Sequence, residues 1–196
     1  MNTALPLPVV DGDNLPPEYR ALLAPNAALV SPDGHAVRRP RYFYEVDSWE
    51  TARQIQLAPH FALWEFIDVD VQEAPLLREF PRYVPCAVSV LAVHLELFRL
   101  EVGMPVRIAA NGGYRSPALG GADPASPHAW GTAANVYRIG EDAMSERETV
   151  EYYASIARRV LPSVWCRPYG LDPGQTTDHL HIDLGYIVCT PHPAGQ

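Results

Sequence analysis

Three short polar runs in the chain combine residue types that suit metal-assisted chemistry. They are "NGGYRSP" from Asn111 to Pro117, "SPHAWGTAAN" from Ser126 to Asn135, and "DHLHID" from Asp178 to Asp183. Side chains alternate along an extended strand, so His179, His181 and Asp183 share one face while Leu180 and Ile182 take the other. Two histidines spaced in this way can share a divalent cation; a hydrogen-bonded structural pair has the same pattern. Asp178 points away from that face unless the strand begins or kinks there. In the middle run Ala133 and Asn135 share a face, Gly131 allows close approach of the backbone, and His128 lies in the loop that leads into the strand. His128 is either a ligand or a loop histidine held by hydrogen bonds. Arg115 follows a glycine pair and precedes Ser116 and Pro117 in a turn. It is either a solvated loop residue or, beside a metal, a clamp for a substrate carboxylate or a scissile carbonyl.

Such side chains converge only if strands bring them together. From Val84 to Glu101 the apolar residues Val84, Val88, Leu91, Leu95 and Phe98 recur at helical spacing, which predicts a core helix stopped by Gly103. His94 within it reads as a packed or surface residue. "PVRIAANGG" then reads as a strand running into a glycine turn. Ser145 with Glu148 three residues on predicts a capping box and a second helix that continues to Pro162. Short strands follow at "SVWCRPYG" and "DHLHIDLGYIV". Hairpin-like spacing of these elements predicts an α+β domain with a central antiparallel sheet of four to five strands and flanking helices. Residues 1–58 are punctuated by proline and read as an arm packed on the domain formed by residues 59–196. The arm has one helical turn near Glu18 to Leu23 and a strand at "RYFYEVDSW".

Composition narrows the chemistry further. The chain has 196 residues, a net charge of −8 and twenty prolines, about double the usual share. It has no lysine, which excludes a Schiff-base enzyme, a Ser-Lys dyad and a P-loop. The only basic run is "RRPR" at Arg38 to Arg41, so nucleic acid is not an expected partner. The first residues have no basic segment and their apolar run is broken by Pro6 and Pro8. With no apolar stretch near membrane-spanning length, a soluble cytoplasmic protein is the expectation. Cys86, Cys166 and Cys189 read as buried thiols, with a Cys166–Cys189 bridge as the alternative.

In order and spacing the three runs resemble the zinc D-alanyl-D-alanine carboxypeptidases and related endolysins, which share a metal-site scaffold with the signalling domain of hedgehog proteins. The family pattern is approximately "GYRSP", "SxHxxGxAxD" and "DHxHxD"; here it reads "GYRSP", "SPHAWGTAAN" and "DHLHID". The likeness extends over about Pro59 to Gly185. It implies a zinc ion held at His128, Asn135 and His181, with Asn135 standing where the family has an aspartate. It further implies Asp178 as general base, His179 beside the oxyanion, and Arg115 binding substrate or stabilising the tetrahedral intermediate. Tyr114, Ser116 and Ser126 line the substrate side. The implied activity is cleavage of a peptide or amide bond in a small peptide or peptidoglycan-like substrate. Replacing the aspartate by an amide removes one negative charge from the ligand set and should weaken zinc binding. An atypical live hydrolase, a silent fold that binds a ligand, and a site for another metal all remain compatible with that exchange.

Overall fold

The computed structural model describes residues 7–67, 80–108, 112–119, 123–161 and 163–192. The N-terminal part contains β1 (Val9–Asp11), α1 (Pro17–Leu23), β2 (Ala28–Val30), β3 (Ala36–Arg38), β4 (Tyr42–Glu45), α2 (Trp49–Gln54) and β5 (Gln56–Ala58). After these come β6 (Phe61–Ala62), α3 (Leu63–Ile67), β7 (Tyr83–Pro85), α4 (Val88–Val102) and β8 (Val106–Arg107). The C-terminal part contains β9 (Ala133–Val136), β10 (Arg138–Ile139), β11 (Asp142–Ala143), α5 (Arg147–Val160), β12 (Trp165–Cys166) and β13 (Leu180–Asp183). Among the described residues no helix is long and apolar enough to cross a membrane.

This is a mixed α+β architecture, but among the described residues the strands do not join into one central sheet of four to five. They form three-stranded sheets in the orders β1-β4-β7, β11-β10-β8 and β12-β13-β9, together with the hairpins β2-β3 and β5-β6, and every named pair is antiparallel. Proline is one physical cause of the short strands, because it donates no ladder hydrogen bond. Pro85 lies at the end of edge strand β7, Pro105 precedes β8 and Pro168 follows β12. The stretch from Ala133 to Ile139 serves two sheets in turn. Its first half pairs with β13, Tyr137 N–H donates to the Arg107 carbonyl at 3.0 Å, and its second half pairs with β8.

α4 begins at Val88, four residues later than the apolar spacing predicts, because Val84 and Pro85 belong to β7. It ends at Gly103, whose φ of 68° is the left-handed conformation that closes a helix, and the Gly103 N–H donates to the Arg99 carbonyl. His94 bonds the carbonyl of Val90 in its own helix at 2.8 Å. The capping box expected at Ser145 and Glu148 does not form. Glu146 is the N-cap of α5 and has no side-chain cap bond, while the Ser145 carbonyl accepts from the Tyr169 hydroxyl at 2.8 Å. Part of the predicted "PVRIAANGG" strand, residues 109–111, and the predicted helix stop at Pro162 lie outside the described residues.

One large apolar cluster holds these pieces together. Leu91, Leu95 and Phe98 of α4 meet Ala154 and Ala157 of α5, with Ile182 of β13 in the same cluster. Leu7, Tyr44, Val46 and Ile55 from the first 58 residues belong to it as well, and Tyr44 lies on β4, which pairs with β7. The three cysteines are free thiols; Cys86 and Cys166 are buried and Cys189 is partly covered. Burial pushes the Cys166 thiol up to about 11, so it is inert as a nucleophile at neutral pH.

Candidate metal centre

The β9–β13 register sets the site. Leu180 pairs with Val136, His181 with Asn135, Ile182 with Ala134 and Asp183 with Ala133. His181 and Asn135 are therefore cross-strand neighbours, and the His181 ring lies 2.8 Å through Nδ1 from Asn135 Oδ1. His128 is brought alongside by a 3-10 turn, Pro127–Trp130, immediately before β9. Ser126 caps that turn by accepting the His128 N–H at 3.3 Å, and Gly131 at φ 69° lets the chain leave it. Buried Trp130 pins it from below, donating its indole N–H to the Arg38 carbonyl at 3.1 Å. The His128 and His181 rings meet edge-on with centroids 5.1 Å apart.

Each ring is oriented through its far nitrogen. His128 Nδ1 is 2.6 Å from the Gly113 carbonyl; a carbonyl only accepts, so the proton sits on Nδ1 and Nε2 keeps its lone pair. Gly113 can come this close because its backbone packs on that of Phe66, where a Cβ would collide. His181 Nε2 is 2.9 Å from Asp183 Oδ2, whose other oxygen accepts the Gly185 N–H at 2.9 Å. A neutral imidazole has one N–H, and the charged acceptor Asp183 holds it at Nε2. The lone pair on Nδ1 then faces the Asn135 amide. Either that amide turns its NH2 group to the ring, or a cation draws on both lone pairs.

Protonation does not supply a third arrangement. Burial pushes His128 well below the ordinary histidine value, and the charges of His181, Arg115 and Arg167 act in the same direction. Burial also lowers His181, with Arg167 and Arg115 adding to it, although the Asp183 carboxylate pulls the other way. Both rings are neutral near pH 7, the state a metal requires. By donor type the group is one that divalent transition metals take: two imidazole nitrogens and an amide oxygen, with an oxygen behind each ring. The set is neutral. Among the described residues no group of three His, Cys, Asp or Glu side chains is placed to hold a metal.

The other expected residues are distributed unevenly. Arg115 is half-buried, its backbone N–H donates to the His128 carbonyl at 3.1 Å, and its charge reaches both imidazoles. Asp178 precedes β13, is 71% exposed in its side chain, and accepts from His179 Nδ1 at 2.6 Å and from Thr176 Oγ1 at 3.0 Å. Burial lowers His179 despite that carboxylate. The His179 and His181 ring centroids are 6.4 Å apart. Ser116 is buried and its Oγ accepts the Ala118 N–H at 3.3 Å. Tyr114, expected on the substrate side, is instead 1% exposed and faces a separate small cavity beside Arg39 and Trp130.

An open cleft of about 630 Å³ adjoins the histidine pair. Ser126, Pro127, His181 and Asp183 stand on its wall, and the remaining lining comes from residues that the three polar runs do not contain. Trp165 and Arg167 come from β12 and the residue following its end, Asp33 and His35 from the β2–β3 connection, and Tyr186 from beyond β13. Asp183 was legible by alternation as sharing the face of His181. Nothing in the local sequence singled out Arg167 or Asp33, because each joins the cleft only through tertiary packing. Comparison with family models, curated proteins and solved structures finds no match to the chain.

Proposed function

We propose that the chain is a metal-dependent hydrolase of the D,D-carboxypeptidase type that cleaves a peptide or amide bond in a small peptide or peptidoglycan-like substrate. The β9–β13 register carries this reading, because it sets Asn135 against His181 beside His128, each imidazole having an oxygen behind it. His128, Asn135 and His181 would hold the ion, with zinc the metal implied by the sequence resemblance. Bound there, a metal ion supplies Lewis-acid polarisation of a carbonyl and a lowered pKa for water.

The chain's own groups supply the remaining chemistry. Burial raises the Asp178 carboxyl, but the His179 charge and the hydrogen bonds from Thr176 and His179 outweigh it, leaving the group below its ordinary value and ionised at neutral pH. Asp178 can accept a proton and return it to a leaving amine, with His179 sharing its charge across the 2.6 Å bond. Arg115, whose charge acts on both imidazoles, is the donor for a developing oxyanion. Ser126 keeps His128 in place, while Tyr114 and Ser116 support the turn that carries Arg115.

The test has two parts. Protein purified without chelator should contain about one metal ion per chain by elemental analysis and release alanine from D-alanyl-D-alanine. Asp178→Asn should retain the metal and lose turnover. A chain without metal that shows no thermal shift on adding zinc would overturn the reading. One observation favours a second reading, a peptidase-like fold that binds a ligand without cleaving it: the Asn135–His181 contact closes on itself if the amide NH2 faces the ring.

A further inference from the structure

Arg167 is the unused group in the cleft. It follows β12, its backbone N–H donates to the His181 carbonyl at 3.2 Å, and its guanidinium lies 5.9 Å from the centroid of the Trp165 ring. Its Nε is buried with no hydrogen-bond partner, and its guanidinium makes no ion pair among the described residues. A buried guanidinium nitrogen without a partner is costly, and the cost is recovered when an anion occupies its donors. Arg167 lines the same cleft as His181, and its positive charge acts on His128, His179 and His181.

We propose that Arg167 is the anchoring residue of the cleft, the receptor for a free carboxylate on the molecule that binds there. The planar guanidinium fork matches the two oxygens of a carboxylate. Charge balance selects a monoanion over a phosphate dianion, because Asp33, Asp123 and Asp183 also line the cleft and repel added negative charge. Trp165, half-exposed beside the guanidinium, gives an apolar wall for the carbon skeleton next to the carboxylate. Arg167 thus sets which molecules bind and does not depend on a metal being present, although it serves the same cleft as the proposed hydrolase.

Ligand-observed NMR titration in the presence of chelator tests this without relying on turnover. The probes are D-alanyl-D-alanine and its C-terminal amide, titrated into the full chain, Arg167→Gln and Arg167→Lys. Wild type should bind the acid about tenfold or more tighter than the amide. Arg167→Gln should lose that preference and Arg167→Lys should keep part of it. Equal binding of acid and amide by wild type, no binding of either, or a preference that survives in Arg167→Gln would each overturn the assignment. A zinc-supplemented hydrolysis assay on the same samples separates the two proposals. A retained preference without turnover counts against the hydrolase alone, whereas turnover without a preference counts against Arg167 alone.

Discussion

The two halves of "DHLHID" occupy opposite physical situations. His181 and Asp183 lie within β13, are buried and bond to each other, and His181 also reaches across the register to Asn135. Asp178 and His179 lie just before the strand, and among the described residues Asp178 bonds to its neighbours Thr176 and His179 while most of its side chain faces solvent. Strand pairing fixes the first pair to a position set by residues far away in the chain. The second pair is held by contacts within a few residues, so its geometry can adjust to whatever enters from outside. A centre that must hold an ion needs the first kind of support, whereas a proton carrier that meets a substrate can use the second.

Removing His181 should break this contrast most severely. His181→Ala leaves Asp183 buried without its imidazole partner, and a stranded buried charge or acceptor costs about 2–4 kcal/mol. Urea unfolding should show that loss, and zinc titration should show no site. A variant of near wild-type stability would mean that Asp183 is supported by something other than the ring.

Asn135→Asp sharpens the comparison from the other side of the register. It returns a negative oxygen at nearly constant volume, so zinc should bind at least about tenfold tighter, or about 1.4 kcal/mol. Isothermal titration of both proteins at one pH checks this, and equal or weaker binding by the aspartate variant would remove Asn135 from the ligand set.

Acid distinguishes the pairs by sign and window. Because His128 and His181 titrate lower in the folded protein than the unfolded value of about 6.5, the unfolded chain takes up protons first. Their contribution is complete above about pH 6.5 and declines as pH falls towards their folded values, by up to about 1.4 kcal/mol per pH unit for each ring. Asp178 is lowered too, but from a carboxylate's starting value, so its contribution fades only below about pH 4. Urea midpoints of metal-free protein at pH 7.5, 6.0 and 5.0 should therefore fall through the histidine window. A flat profile over that range would mean that the rings are not held neutral by burial.

The smallest effect on folding belongs to Asp178→Asn. With its side chain mostly in water, the substitution should change the unfolding free energy by no more than about 0.5 kcal/mol. A larger loss in the same urea experiment would show that the exposed pair also supports the fold.

How much of this was legible in sequence follows the same division. Alternation placed His181 and Asp183 together because it depends on regular local geometry, whereas the run from Ser126 to Asn135 stood out as the facing segment through the sequence resemblance. The size of the sheet was not legible. Strand length invites one continuous sheet, but prolines beside β7, β8 and β12 and the change of partner at Tyr137 divide it. The expected helix cap at Ser145 is displaced by one residue: the helix takes Glu146 as its N-cap, and Ser145 meets Tyr169, distant in sequence, through its backbone carbonyl. Arg167 and Asp33 carried no local pattern that distinguishes a cleft wall from ordinary surface.

The cleft wall draws on residues 31–35 as well as on residues 163–186, so it closes only when widely separated parts of the chain have met. A molecule seated across that wall binds the folded arrangement and not the open chain, and its binding free energy is added to the stability of both contributing segments. Occupancy would therefore slow hydrogen exchange in the β2–β3 hairpin even though that hairpin donates no proposed metal ligand. Bringing such distant segments together is also the entropically demanding step of assembly. A ligand that arrives early would shift the balance towards chains that have completed it.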